Sequence, residues 1–493
     1  MSMIQVTDLT FAYEGSYDHI FEKVSFQIDT DWKLGFIGRN GRGKTTFLNL
    51  LLGKYQYSGT IHASVRFEYF PYEVTDKQKD TLEIVQSVCS ECEDWEIIKE
   101  ISLLQVDAEV LYRPFATLSN GEQTKVLLAA LFLGANRFLL IDEPTNHLDV
   151  EARDVVGNYL KRKKGFILVS HDRELLDHCV DHILSINKNN IEIQSGNFSS
   201  WWRNKQMQDG FELAENEKLQ KEIGRLSAAA KQSAGWSDRV ESSKIGQTNS
   251  GSKQDRGYVG HKAAKMMKRA KNIETRRQAT IAEKSGLLHN IEEYDSLKMT
   301  PLTYPKETLL ELKEVALFYE ETSVCSDICM SVHQGDRIAL NGRNGSGKST
   351  LLKLLRGEQI RYTGEVSIGS GLKISCVSQD TSHLKGKLTD YAREQELDES
   401  LFLTVLRKLG FERVQFEKDM ADFSGGQKKK VLLAGSLCQQ AHIYLWDEPL
   451  NFIDVFSRMQ MEELILKYQP TMLFVEHDAA FREKIATKTI ELG

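Results

Sequence analysis

Long hydrophobic runs are missing from this sequence of 493 residues. The most apolar stretch, residues 126–141, is interrupted by Asn136 and Arg137 and is too short to span a bilayer. The opening residues, MSMIQVTDLTFAYEG, lack the basic segment and apolar run of a secretory signal. We therefore expect a cytoplasmic protein without a membrane span. Its apolar content of 41% is enough for the cores of two or three domains.

Cysteine is also scarce, with seven residues scattered along the chain. An odd, scattered set argues against a disulfide framework and favours a reducing compartment. Cys89 and Cys92 form a C-x-x-C pattern, but neither a second pair nor a histidine cluster accompanies it. We expect two ordinary thiols here rather than a metal site.

The net charge of -7 hides an uneven distribution. Residues 221–280 contain 14 Lys and Arg against 5 Asp and Glu, a net charge of +9, which leaves -16 on the rest. A basic segment in an acidic chain is typical of a surface that binds a polyanion such as nucleic acid. The alternative is a solvated helix face, and charge alone does not separate the two.

The chain repeats itself, and this is the strongest signal of its organisation. Five landmarks recur in the same order at offsets of 304 to 306 residues: Tyr13 and Tyr319, Lys44 and Lys348, Ser119 and Ser424, Glu143 and Glu448, His171 and His477. We predict two copies of one α/β domain, over residues 1–205 and 301–493, joined by residues 206–300.

Each copy contains a loop of the form G-x-x-x-x-G-K-[ST], GRNGRGKTTF at 38–47 and GRNGSGKSTL at 342–351. A buried strand precedes the loop and a helix follows it, so backbone N–H groups would surround a phosphate. The lysine would reach the β and γ phosphates, and the next hydroxyl suits magnesium. The predicted nucleotide-binding residues of the loops are Gly38, Asn40, Gly41, Gly43, Lys44, Thr45, Thr46, Gly342, Asn344, Gly345, Gly347, Lys348, Ser349 and Thr350.

Paired acids end two apolar runs, FLLIDEP at 138–144 and IYLWDEP at 443–449. In each pair the aspartate, Asp142 or Asp447, fits the role of a magnesium ligand. The next residue, Glu143 or Glu448, could polarise an attacking water. The catalytic set also includes His171 and His477, because each follows an apolar strand and would face the γ-phosphate.

LSNGEQ at 118–123 and FSGGQ at 423–427 resemble the signature motif of ABC-type ATPases. The resemblance implies ATP hydrolysis with Mg²⁺, in a head-to-tail sandwich where one copy's signature closes over ATP on the other. It adds these residues to the ATP-binding set: Ser119, Gly121, Glu122, Gln123, Ser424, Gly425, Gly426 and Gln427, with Tyr13 and Tyr319 stacked on adenine. It also makes Gln379 a magnesium ligand of the second site, where the first copy has Tyr72.

The sequence DEPTNHLD at 142–149, on a tandem chain without spans, resembles the ABC-F group of ribosome-associated ATPases. This resemblance implies a helical hairpin, here over 206–240 and 261–296, that reaches the P site of the 70S ribosome from a monomer. The insertion at 73–112 is short. The residues expected to contact 23S rRNA and P-site tRNA are Lys244, Tyr258, Lys262, Lys265, Lys268, Arg269 and Lys271. A rigid coiled-coil spacer is the alternative interpretation of the hairpin.

Within that group, the chain is most similar to the Lsa-type antibiotic-resistance proteins. The similarity rests on residues 29–46, the DEPLNFID ending at 447–454 and the extended linker tip. Members of that type protect the peptidyl-transferase centre from lincosamides, streptogramin A and pleuromutilins. A housekeeping translation factor and the ATPase subunit of a membrane exporter are the other hypotheses. Because Leu450 and Phe452 replace Thr145 and His147, we expect two unequal ATP sites.

Overall fold

The computed structural model describes residues 2–13, 19–134, 136–145, 148–186, 191–212, 214–215, 218, 221, 268, 297–319, 322–343, 345–411 and 413–492. No helix within these ranges is long and apolar enough to cross a membrane. Contacts group Met1–Trp201 with Tyr294–Gly493 in one compact unit and Trp202–Glu293 in another. We refer to the two parts of the first unit as the first half and the second half.

The first half alternates strands and helices. Its strands are β1 (Met3–Phe11), β2 (Phe21–Asp29), β3 (Lys33–Ile37), β4 (Ser58–His62), β5 (Arg66–Phe70), β6 (Arg137–Asp142), β7 (Phe166–Val169), β8 (His182–Ile186) and β9 (Ile191–Ser195). Its helices are α1 (Lys44–Leu51), α2 (Thr81–Val88), α3 (Asp94–Leu103), α4 (Asn120–Leu133), α5 (Val150–Arg162) and α6 (Arg173–Cys179).

The second half repeats this order. Its strands are β10 (Thr308–Tyr319), β11 (Thr322–His333), β12 (Arg337–Asn341), β13 (Arg361–Ile368), β14 (Ile374–Val377), β15 (Ile443–Asp447), β16 (Met472–Val475) and β17 (Lys488–Glu491). Its helices are α7 (Lys348–Arg356), α8 (Leu388–Glu394), α9 (Glu399–Lys408), α10 (Gly425–Cys438), α11 (Val455–Tyr468) and α12 (Ala479–Ile485).

Each half pairs one mainly parallel sheet with a smaller antiparallel one. The parallel sheets have the orders β5-β6-β7-β3-β8-β9 and β14-β15-β16-β12-β17, and only β9 runs antiparallel within them. The antiparallel sheets have the orders β2-β1-β4 and β11-β10-β13. The α/β class predicted from the repeat is therefore confirmed, and the carboxyl ends of the central parallel strands meet at one edge in each half.

A continuous apolar core explains why the phosphate loops are held rigidly. In the first half, one cluster joins Val6 of the antiparallel sheet, Phe47 of α1 and Ile167 of β7. Helix α1 therefore lies between the two sheets. The central strands read as unbroken apolar runs, such as FILV, because they are buried on both faces. The predicted strands before each loop and before each acid pair are present.

The expectation of two free thiols at Cys89 and Cys92 is wrong. The structure joins them in a disulfide with a Cα–Cα distance of 5.6 Å. Cys89 follows the last residue of α2, and the N–H of Cys92 donates to its carbonyl at 3.3 Å. This turn brings the two sulfur atoms together, which the spacing alone did not reveal.

The segment between the halves falls largely outside the described residues. A helix covers residues 198–212, and Lys268 is exposed. The other predicted RNA-contacting residues, Lys244, Tyr258, Lys262, Lys265, Arg269 and Lys271, lie outside the described ranges. At the far end, Leu297 and Met299 are buried in the core of the second half. The predicted domain limits at 205 and 300 stay a prediction.

A buried ion pair ties α11 to the start of α12. Arg458 Nη1 donates to Asp478 Oδ2 at 3.0 Å, and both side chains are almost fully buried. Asp478 also caps α12 by accepting a hydrogen bond from the N–H of Phe481. Burial alone would raise the pKa of Asp478, but the charges of Arg458 and Arg173 outweigh burial and lower it. The ion pair therefore stabilises the fold wherever Asp478 is ionised.

Replacing Asp478 with Asn should lower the free energy of unfolding by about 3 kcal/mol, because Arg458 would remain buried without its charged partner. Asparagine keeps the helix cap, so the loss reports the charge. The folded pKa is depressed below the ordinary value of 3.8. The stabilisation is thus complete above that value and is lost as the pH falls through the folded pKa. Urea unfolding at neutral and acidic pH measures both effects.

Asp398→Asn is the matched control, since Asp398 is an exposed cap of α9. It should change the free energy of unfolding by less than about 0.5 kcal/mol. Equal losses in the two variants would contradict a special contribution from the buried pair.

Candidate functional site

The two glycine loops wrap around their own lysine side chains. Lys44 Nζ donates to Gly38 O at 2.6 Å, and Lys348 Nζ donates to Gly342 O at 2.8 Å. Burial lowers the pKa of both lysines. The residue before each lysine, Gly43 or Gly347, has a φ of 88°, a left-handed conformation that favours glycine. The loop therefore turns directly into the N-terminus of α1 or α7, where an anion is stabilised.

A hydroxyl and a carboxylate face each other beside each loop. Thr45 Oγ1 lies 3.5 Å from Asp142 Oδ2, and Ser349 hydrogen-bonds Asp447. Burial raises the pKa of both aspartates. Among the described residues, the buried Asp447 Oδ1 has no hydrogen-bond partner. An unpaired carboxylate oxygen beside a hydroxyl matches the hard oxygen ligands that Mg²⁺ takes, so these residues fit the ion.

The residue after each aspartate adopts a conformation that is rare for a non-glycine residue. Glu143 has a φ of 49° and Glu448 a φ of 46°. The backbone N–H of each donates to the last residue of the neighbouring strand, to Val169 O at 2.9 Å and to Val475 O at 3.0 Å. The chain leaves the sheet sharply at this point, and sequence reasoning did not reveal this local strain.

Each glutamate meets the histidine predicted to act with it. His171 Nε2 lies 3.5 Å from Glu143 Oε1, and His477 Nε2 lies 3.5 Å from Glu448 Oε1. Both histidines follow strands that pair directly with the glutamate-bearing strands. Adjacent parallel strands place these side chains at the same sheet edge. The structure thus brings together the four predicted catalytic residues as two similar pairs.

The two pairs differ in their electrostatic surroundings. Burial, followed by the charge of Asp142, raises the pKa of Glu143 to about 8. Burial would also raise the pKa of Glu448, but hydrogen bonding to His477 and Gln379 helps to outweigh it and lowers the pKa. Gln379 Nε2 donates to Glu448 Oε2 at 2.9 Å. The second site therefore favours an ionised glutamate, whereas the first favours a protonated one in the absence of ligand.

Tyr69 is a residue of the first site that the sequence did not reveal. Its hydroxyl donates to Asp142 Oδ2 at 3.0 Å and opposes the rise in the carboxyl pKa caused by burial. Strand register places Cys376 at the equivalent point of the second half. Tyr72, which aligns with Gln379, is half-buried. The sequence feature that could have identified Tyr69 is an aromatic residue on the strand next to the acid pair.

The first phosphate loop and the second signature line one cavity of about 640 Å³. From the first half it is lined by Tyr13, Asn40, Gly41, Gly43, Lys44, Thr45, Thr46, Asp142, Glu143 and His171, and from the second half by Ser424, Gly425, Gly426, Gln427, Lys430 and Phe452. Tyr13 is half-exposed at its rim and its hydroxyl hydrogen-bonds Thr46. An ATP-sized ligand would touch both halves here.

Direct contacts already join the halves at this cavity. Asn40 Nδ2 donates to Phe452 O at 2.8 Å, and the N–H of Asn40 donates to Asp454 Oδ2 at 3.4 Å. A Cβ on Gly426 would lie 2.9 Å from Phe452 O, so the start of α10 requires a glycine. Ser424 caps this helix in a capping box with Gln427. The backbone N–H groups at the start of α10 are thereby held beside the loop.

The second cavity is smaller, at about 350 Å³. It is lined by Gly345, Gly347, Lys348, Ser349, Thr350, Gln379, Glu448, Asn451 and His477 of the second half, together with Asn120 and Arg153 of the first. The predicted signature residues Ser119, Gly121, Glu122 and Gln123 are not among its lining residues.

Helix α4 begins at Asn120 with Ser119 as its cap, just as α10 begins at Gly425 with Ser424 as its cap. Glu122 closes the capping box on Ser119, and Gln123 donates to Leu118 O at 2.9 Å. These side chains are turned back onto their own helix end. Asn344 and the side chain of Tyr319 lie outside the described residues.

Two phosphate loops, two strand-end acid pairs and a signature helix facing the opposite loop define a tandem ATPase. The family model described as "ABC transporter" matches residues 21–146 and 325–451, about half of the chain. The chain therefore belongs to the ABC transporter family, whose ATPase domains bind and hydrolyse ATP, and it carries two of them.

Its relatives are ABC-F-type proteins. It is 27% identical to the "Ribosome protection protein VmlR" of Bacillus subtilis, over 99% of this chain and 86% of the relative. It is 28% identical to the "Probable ATP-binding protein YheS" of Escherichia coli, over 93% of this chain and 74% of the relative. The fold is also that of an archaeal ribosome recycling factor solved in complex with a ribosomal stalk protein. The TM-score is 0.62 at 19% identity, over 98% of this chain and 87% of that one.

Replacing Tyr69 with Phe should weaken magnesium activation of the first site. Without the hydroxyl, the buried Asp142 carboxyl is protonated more readily and holds the cation less well. We expect the Mg²⁺ concentration for half-maximal hydrolysis to rise about tenfold, the effect of one hydrogen bond to a charged group. Single-turnover ATP hydrolysis in a Glu448→Gln background isolates the first site.

Tyr72→Phe in the same background is the control, because it alters the residue that sequence alignment places at Gln379. It should leave the Mg²⁺ dependence unchanged within about twofold. If Tyr72→Phe produced the shift and Tyr69→Phe did not, the contact to Asp142 would have no catalytic consequence.

Proposed function

We propose that this chain is an ABC-F ATPase that binds the 70S ribosome and protects its peptidyl-transferase centre from lincosamide, streptogramin A and pleuromutilin antibiotics, as Lsa-type proteins do. The single observation that carries the proposal is the first cavity, in which a phosphate loop and the opposite half's signature face each other. Such a cavity converts ATP binding into closure of the two halves. The relative named as a ribosome protection protein matches over nearly the whole chain.

In this proposal each ATP is held by one loop and the opposing signature helix. Lys44 or Lys348 would contact the β and γ phosphates. Thr45 with Asp142, or Ser349 with Asp447 and Gln379, would hold Mg²⁺, which would neutralise phosphate charge. Glu143 and Glu448 orient the attacking water, and His171 and His477 hold those glutamates. The arrangement needs both halves, so hydrolysis follows closure.

In this proposal the basic segment between the halves is the part that binds the ribosome. Its net charge of +9 over residues 221–280 would attract RNA phosphates, and the rest of the chain is acidic. If this segment is helical, as the sequence predicts, it would carry cations on several sides, which suits 23S rRNA and P-site tRNA; these are Lys262, Lys265, Lys268, Arg269 and Lys271. Closure of the halves would set the direction of the two linker helices, and hydrolysis would release the protein.

Two other functions compete with this one. A housekeeping translation factor would share the ATP sites and ribosome binding but would give no drug protection. Similarity to the Escherichia coli relative, known only as a probable ATP-binding protein, favours neither role. An exporter's ATPase subunit would co-purify with a membrane protein instead of ribosomal RNA.

The double variant Glu143→Gln, Glu448→Gln should bind ATP without hydrolysing it and should remain on the ribosome. We expect it to sediment with 70S ribosomes in ATP and to dissociate in ADP, because closure persists only while the γ-phosphate is present. Sedimentation through a sucrose cushion measures this.

Glu109→Gln, an exposed carboxylate in the insertion, is the control and should behave like the wild type. Absence of ATP-dependent ribosome trapping would sink the proposal. If trapping occurs, growth of cells expressing the wild type in lincomycin or tiamulin separates resistance from a housekeeping role.

Replacing Lys262, Lys265, Lys268, Arg269 and Lys271 with Gln should weaken ribosome binding. Each lost phosphate contact should reduce the slope of log affinity against log salt concentration by roughly one unit or less. Ribosome binding measured across a salt series, with ribosome-free ATPase activity as the check on folding, tests this. An unchanged salt dependence would favour the rigid-spacer interpretation.

A further inference from the structure

A largely buried arginine side chain crosses from the first half to the second beside the first ATP site. Arg173, the first residue of α6, contacts Glu462 of α11 through both guanidinium ends. Nη2 lies against Oε1, and Nη1 lies 3.3 Å from Oε2. Glu462 is fully buried, and Arg173 Nη2 also lies 3.8 Å from Asp478 Oδ1. A two-point, buried contact fixes geometry better than a surface ion pair does.

The repeat allows a direct comparison with the other side of the interface. The residues equivalent to Arg173 and Glu462 are Ala479 and Gly157, so both partners are missing there. Ala479 and Gly157 line a cavity of about 230 Å³ that also reaches His477. The interface therefore carries a buried bridge beside the first site, whereas beside the second the described residues give this cavity and the exposed ion pair of Arg343 with Glu151.

The bridge is connected to the catalytic pair of the first site by two short routes. Along the chain, Arg173 is two residues beyond His171, which contacts Glu143. Through space, Arg458 of the second half pairs with Asp478, and its positive charge acts on the buried Glu143 and His171. Both routes start on α11, the helix that carries Glu462. Movement of α11 would thus move the histidine relative to the glutamate.

We propose that Arg173 is a positioning residue for hydrolysis at the first ATP site: its contact with Glu462 of the opposite half holds His171 against Glu143 when the halves are closed. Among the residues that the structure describes, the second site has no buried bridge of this kind, so His477 is positioned within its own half. Hydrolysis at the first site therefore depends on the contact between the halves in a way that hydrolysis at the second does not.

The test uses the full chain and measures each site separately. Single-turnover ATP hydrolysis in a Glu448→Gln background reports the first site, and a Glu143→Gln background reports the second. Arg173→Ala should lower the first-site rate about tenfold, or ~1.4 kcal/mol in activation free energy. The ATP concentration for half-maximal rate should stay within about twofold, because Arg173 does not line the ATP cavity. The second-site rate should not fall.

Glu462→Gln provides a second, independent test, because glutamine keeps the side-chain shape and removes the charge. Its effect should resemble that of Arg173→Ala, and the double variant should be no slower than either single variant. Arg173→Lys should restore only part of the rate, because an ammonium group does not reproduce the two-point contact. Lys484→Ala is the matched control, since Lys484 contacts Glu462 at 2.9 Å from within the second half.

Equal losses at both sites, or full restoration by Arg173→Lys, would assign Arg173 a structural role only and overturn the inference. An unchanged first-site rate in both Arg173→Ala and Glu462→Gln would overturn it as well. The inference rests on the proposed role of Glu143. A Glu448→Gln parent that hydrolyses ATP upholds that role and leaves Arg173 alone in question, whereas an inactive parent contradicts both.

Discussion

Pairing of buried charge between the two halves is the constraint on which the rest of the structure depends. Burial would raise the pKa of Asp454, but Lys430 and, from the first half, His171 and Lys44 outweigh it and hold the pKa well below its usual range. Arg173 finds its carboxylate partner in the second half in the same way. Separation of the halves would take Glu462 from Arg173 and Lys44 from Asp454, although Lys484 and Lys430 would still pair with these carboxylates within the second half. The head-to-tail contact is therefore built into the charge pattern of both halves, and the first ATP cavity follows from it.

The same motif set produces two different sites because their surroundings differ. At the second site, Gln379 hydrogen-bonds the catalytic glutamate. At the first site, the neighbouring strand contributes Tyr69, which instead donates a hydrogen bond to Asp142, the proposed magnesium ligand. The interface beside the first site is bridged by Arg173, whereas the interface beside the second contains a cavity. The two sites therefore differ both in the groups around their acidic residues and in the contact between the halves beside them.

The proposed ribosomal role links these sites to the basic segment between the halves. ATP binding acts on the contact between the halves, and the segment joining them carries the opposite charge to the rest of the chain. In the proposed function, closure of the halves and RNA binding are coupled through this segment.

The sequence by itself determined what depends on local chemistry. The glycine loops, the strand-end acids and the buried parallel strands could be read directly, because spacing and apolar runs specify them within a few residues. Tertiary structure decided the rest. The packing of the halves put Asn120, and not Ser119, among the lining residues of the second cavity, and strand pairing set Glu143 against His171. Strand pairing brought Tyr69 to Asp142, and the packing of the halves joined Arg173 to Glu462, 289 residues away. No local pattern encodes such contacts, because they depend on which surfaces meet after the chain has folded.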